Sequence, residues 1–146
     1  MRSAVLAASL LLLACAPKEK APEPAAPPPP PPAPTVADFA GTWNATTNMT
    51  GAEKPVETTL TINADGTGTM TAAGRDPIPL TLSMAGDSLI AVSAEYESLL
   101  RKGVKVTIRT ANHRGGDELH GNVVATYKTT KGDEVVAGTM TAKKAP

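Results

Sequence analysis

Cysteine is almost absent from this 146-residue chain: Cys15 stands alone, so no disulfide can form within it. Aromatic side chains are scarce too, at 3% of residues: Phe39, Trp43, Tyr96 and Tyr127. A core must therefore come from Val, Leu, Ile, Met, Ala and the methyl groups of Thr. Net charge is missing as well, with 14 basic residues against 14 acidic ones. That balance excludes the basic stripe of a nucleic-acid-binding surface and the polybasic patch of a membrane-surface protein. No apolar run reaches the ~20 residues that a membrane-spanning helix needs.

Signatures of catalysis are also lacking. No G-x-S-x-G flanks Ser83, Ser88, Ser93 or Ser98, and no glycine loop leads into a helix to cradle phosphate. Glu95 and Glu97 flank Tyr96 as solvated charges. His113 and His120 straddle a Gly-Gly turn beside Asp117 and Glu118, so they can approach each other across a hairpin. A zinc site usually takes three or four ligands, and both histidines read as exposed polar-face residues. The chain reads as non-enzymatic, with no cofactor and no metal site.

The lone cysteine is explained by its place. Arg2 gives a short positive start, and Ala4 to Ala14 is apolar, rich in Leu and Ala. That length suits the hydrophobic region of a signal peptide. The stretch ends Leu12-Leu13-Ala14-Cys15, which resembles the lipobox of bacterial lipoproteins. The resemblance implies a signal over residues 1–14, cleavage before Cys15, and acyl chains on that cysteine. Two or three chains anchor stably where one is marginal, at ~0.8 kcal/mol per buried CH₂. Leu13 departs from the smaller residue usual there, and Ala16 is, by the same resemblance, an outer-membrane signal. The expected location is the bacterial cell envelope, with the membrane as a partner through the N-terminal lipid.

Residues 15–35 follow as a stalk. Ten of the 14 prolines lie between Pro17 and Pro34, six of them in the run Pro27 to Pro32. Proline fixes φ and cannot donate a hydrogen bond. The segment favours extended polyproline II, about 3.1 Å per residue, or some 50–60 Å fully stretched. It reads as a spacer more than as a ligand for an aromatic groove.

From residue 36 to 146 the pattern is period-2 alternation broken by turn residues. Trp43, Ala45, Thr47 and Met49 share one face, as do Val56, Thr58, Leu60 and Ile62. Asp65-Gly66 supplies the positive φ of a tight hairpin. Further segments carry Gly68, Met70 and Ala72; Ile78 to Met84; Leu89 to Ala94; Val104 to Ile108; Leu119 to Tyr127; and Val136 to Ala142. Between Glu95 and Lys102, Tyr96, Leu99 and Leu100 have helical spacing. One or two helical turns fit, and so does a loop folding its leucines over one end. The class is all-β. Eight short strands with one apolar face need closure or a second sheet, so an eight-stranded antiparallel up-and-down barrel and a two-sheet sandwich both fit.

The start of the domain, Asp38-Phe39-Ala40-Gly41-Thr42-Trp43, resembles the opening G-x-W motif of the lipocalin superfamily. The resemblance implies a barrel whose closed end is plugged by Trp43, with a basic residue of the last strand across it. Phase gives Lys144; a bend near the end gives Lys143. The cation would add ~0.5–2 kcal/mol. Lys in place of the usual Arg, and the missing C-terminal helix, depart from that family.

An eight-stranded barrel holds side chains or one small ligand. Inward methionines fill irregular space or line adaptable pockets. Small residues at Ala45, Gly68, Ala72, Ala94, Gly121, Ala125 and Gly138 imply a modest cavity. Two readings stand. In one, a lipocalin-like barrel binds a small apolar ligand through Met49, Leu60, Met70, Leu82, Val106, Val123 and Met140. In the other, a solid barrel is a structural or interaction module with an envelope protein as its partner.

Overall fold

A computed structural model describes Pro28 and residues 30–146. The signal, Cys15 and most of the stalk lie outside the described residues. Residues Pro32–Pro146 form one unit. It begins with a 3₁₀ turn at Val36–Phe39, capped where the Thr35 N–H donates to Asp38 Oδ2 at 2.7 Å. The backbone and hydroxyl bonds from Thr35 hold the Asp38 carboxyl below its usual range.

The strands are β1 (Gly41–Met49), β2 (Val56–Ile62), β3 (Thr67–Ala72), β4 (Ile78–Ala85), β5 (Ser88–Ser93), β6 (Tyr96–Glu97), β7 (Lys105–Gly115), β8 (Glu118–Thr129) and β9 (Gly132–Lys144). They pair antiparallel in the order β5-β4-β3-β2-β1-β9-β8-β7-β6, and β5 also pairs with β7. That last ladder, Leu89 opposite Asn112 through Val92 opposite Arg109, closes eight of the strands into an up-and-down barrel. One closed sheet replaces the sandwich alternative. No strand pair is left open between β4 and β7, so the inward faces share a single interior.

β6 is the element that alternation did not reveal. Its two residues pair only with β7, Tyr96 opposite Val106 and Glu97 opposite Lys105. No helix forms after it. Ser98 Oγ instead accepts the N–H groups of Leu100 and Arg101 at 3.1 and 3.0 Å, a local turn that competes with helix.

The inward faces follow period 2, with one correction. In β5 the buried inward residues are Leu89, Ala91 and Ser93, and Ala94 is exposed. The remaining small residues do not sum to an open lumen either. A Cβ on Gly68 would come within 3.2 Å of Leu82 Cδ1, and one on Gly138 within 2.7 Å of Met49 Sδ. On Gly121 it would meet Asn112 Oδ1 at 2.0 Å. Larger neighbours occupy the space each glycine leaves.

One end is sealed by Trp43, which is 0% exposed and donates from Nε1 to the Phe39 carbonyl at 2.9 Å. Lys144 stands opposite it in the β1–β9 register, with Nζ 5.6 Å from the ring centroid. The choice between Lys143 and Lys144 thus falls on Lys144. A second cation, Arg114, lies 5.8 Å from the same ring and donates to the Asp38 carbonyl. Trp43→Ala removes a fully buried indole and is expected to cost about 3–5 kcal/mol. Denaturant unfolding monitored by circular dichroism measures it; a loss below about 1 kcal/mol excludes a plug.

Candidate functional site

β1 runs from the Trp43 end to Met49 at the other, and there the interior is not filled. A cavity of about 60 Å³ remains, its surface mostly apolar. Met49, Leu60, Met70, Val106, Val123 and Met140 come together around it. Leu82 does not. It is buried two residues deeper along β4, against Gly68 and near the Asn63–Gly66 turn, where its N–H donates to the Gly66 carbonyl at 2.8 Å. Leu80 takes the place on the wall.

Further residues complete the site. Thr47 and Thr58, inward by alternation, join the wall with Ala91 and Thr110, and Tyr96, Ser98, Leu99 and Leu100 cover it. The cover is the loop after β6. Its stem is tied by Ser98 N–H to the Val104 carbonyl at 2.8 Å and by Gly103 N–H to Glu97 Oε1 at 3.0 Å. Arg75 Nη1 reaches the Glu97 carbonyl at 2.9 Å.

Arg101 latches the loop to the barrel. Its two guanidinium nitrogens meet the two Glu134 oxygens at 2.8 and 2.7 Å, and its Cζ lies 4.1 Å from the centroid of Tyr127. Tyr127 itself lines the cavity. A planar fork suits both contacts at once: bidentate pairing with carboxylate and stacking on a ring. The bonds from Arg101 hold the Glu134 carboxyl below its ordinary value. Burial pushes the Tyr96 phenol up to about 12, so it stays protonated at neutral pH.

Among the described residues, the lining holds no histidine, cysteine, carboxylate or cation. The histidines lie elsewhere. His113 and His120 face each other in the β7–β8 ladder, both exposed, 3.7 Å from Asp87 Oδ1 and 3.2 Å from Glu118 Oε2 respectively. Among the described residues no three histidines, cysteines or carboxylates gather in a metal-binding group.

A closed eight-stranded antiparallel barrel, plugged at one end and lidded at the other, is the class that this geometry defines. No protein-family model matches the chain, and no curated protein matches it. Solved structures with a similar fold include a bradavidin2–biotin complex, with a TM-score of 0.48 and 18% identity, covering 77% of this chain and 99% of that one. A rhizavidin–biotin complex has a TM-score of 0.48 and 15% identity, over 77% and 98%. Intact afifavidin in its apo form has 0.48 and 13%, over 79% and 93%.

The latch has a pH signature. A carboxyl held below its unfolded value adds stability that is present above the ordinary carboxylate range, about pH 4.3 for Glu, and is lost as pH falls through the depressed value. Glu134→Gln should therefore melt below the wild type at pH 7, with the gap closing as the pH falls below about 4. Melting temperatures across pH test this; a gap independent of pH excludes the ion pair as its source.

Proposed function

We propose that this chain is a lipid-anchored envelope protein whose barrel binds a small, largely apolar ligand. One observation carries the ligand reading: the unfilled apolar space lies at one end of the barrel, directly under a short loop held by side chains. Pockets for drug-sized molecules usually span roughly 300–1,000 Å³, far more than the 60 Å³ present here. Entry therefore requires Leu99 and Leu100 to swing outward on the Ser98–Gly103 loop.

The small volume itself favours a second reading, a solid barrel that serves as a structural or interaction module with a partner on its outside. Thermal melting with heptane as the probe separates the two. Binding to the native state alone raises the melting temperature; at ~100 times Kd the gain is about 2.7 kcal/mol, roughly 10 °C or more for a domain of this size. Leu100→Ala should increase the heptane affinity by enlarging the space beneath the lid. No shift in either protein favours the solid barrel.

The anchor rests on Leu12-Leu13-Ala14-Cys15 and on the physical need for more than one acyl chain to hold a protein at a membrane. In this reading Cys15 carries the lipid, Ala16 directs the protein to the outer membrane, and the proline-rich segment is the spacer. Cys15→Ser should move the protein from the membrane fraction to the soluble envelope fraction, or leave its signal uncleaved. Unchanged membrane fractionation of a processed Cys15→Ser protein excludes the lipid anchor.

A further inference from the structure

A hydroxyl group has one proton to give and two lone pairs to receive. On the lid, both lone pairs of Ser98 Oγ are engaged by the N–H groups of Leu100 and Arg101. Ser98 is 3% exposed and lines the cavity, so its proton is what remains to offer. On the wall, Thr110 Oγ1 accepts from Asn112 Nδ2 at 2.7 Å. Thr110 is 8% exposed and Asn112 2%. Thr110 also lines the cavity, whereas Asn112 does not. The Ser98 hydroxyl donates to no protein acceptor among the described residues.

The Ser98 hydroxyl is thus committed as an acceptor to the protein and left as a donor, whereas Thr110 and Asn112 share a single bond that leaves the buried Asn112 Oδ1 without a partner. Asn112 keeps its place because Gly121 has no side chain: a Cβ there would lie 2.0 Å from Asn112 Oδ1. Thr47, Thr58 and the two tyrosines are the other hydroxyl groups on the lining, and each can turn either way. Among the described residues no charged group lines the space. An ion entering it would lose its hydration without a countercharge, a large penalty in an apolar environment.

We infer that the cavity selects a neutral, mostly apolar molecule bearing a carbonyl-type hydrogen-bond acceptor, a ketone or ester in preference to a fatty acid, an amine or a plain hydrocarbon. This rests on the ligand-binding reading above and names the chemistry of its ligand. Ser98 is the group that recognises the acceptor oxygen.

Heptan-2-one and heptane, matched in length, test it on the purified protein and on Ser98→Ala and Thr110→Val. Ser98→Ala also frees two lid N–H groups, and Thr110→Val leaves Asn112 Nδ2 without its acceptor. Both side effects bear on the two probes alike, so the quantity read is the ratio of ketone to heptane affinity. Loss of one hydrogen bond lowers that ratio by about 3- to 10-fold in Ser98→Ala and leaves it unchanged in Thr110→Val. In the wild type, the infrared carbonyl stretch of bound ¹³C-labelled ketone lies below its value in alkane solvent, and it moves back in Ser98→Ala. Heptanoate and heptylammonium fail to bind.

An unchanged ratio in Ser98→Ala, with the stretch at its alkane-solvent position in the wild type, overturns the inference while heptane binding keeps the cavity reading intact. Heptanoate binding as tightly as the ketone also overturns it. Absence of binding by ketone and heptane together removes both.

Discussion

Four residue pairs between β5 and β7, from Leu89–Asn112 to Val92–Arg109, decide whether this chain is a barrel or an open sheet. Without them β5 and β7 would each present a row of unpaired backbone groups, an invitation to pairing with another chain. With them, alternation along every strand becomes a distinction between one interior and one exterior. The curvature that closure demands also explains the inward glycines. At Gly68, Gly121 and Gly138 a Cβ would come within 2.5 Å of a neighbouring backbone carbonyl oxygen, a separation that no ordinary side chain tolerates.

The two ends of the barrel are built from opposite materials. At one, a fully buried indole is fixed by its own N–H bond to Phe39 and flanked by Lys144 and Arg114. Removing it would leave a void the size of the largest side chain in the domain. At the other, a short loop is held by Arg101, paired with the exposed Glu134 and lying over the buried Tyr127 ring. Such contacts are individually weak and solvent-screened. Local opening is expected where few apolar contacts and exposed bonds hold a segment, which makes this end the one able to admit a molecule.

Much of the architecture was legible because period 2 reports the face of a residue directly. The lipocalin resemblance put a basic residue across Trp43 and phase favoured Lys144 over Lys143, and Asp65-Gly66 marked its turn, where Gly66 has φ of +87°. Height along the barrel axis is not encoded that way. Leu82 and Leu80 have the same phase, yet only Leu80 reaches the cavity. Ala94 is one residue out of step with Leu89, Ala91 and Ser93, and strict period 2 already points it outward, where it is exposed. Contacts between distant residues left no local trace. Arg114 with Asp38 and Arg101 with Glu134 bridge 76 and 33 positions, and nothing near either arginine announces the partner. The lid was half legible: the spacing of Tyr96, Leu99 and Leu100 marked residues sharing a purpose, and the Ser98 turn, not a helix, brings them over the opening.

Solution NMR of the β5–β7 ladder tests the account most directly. Cross-strand nuclear Overhauser contacts between Leu89–Val92 and Arg109–Asn112, with slow amide exchange on both strands, are the expected result. Their absence, with β5 amides exchanging as fast as a free edge, would mean that the sheet does not close. The plug, the lid and the apolar space between them would then have no common interior to belong to.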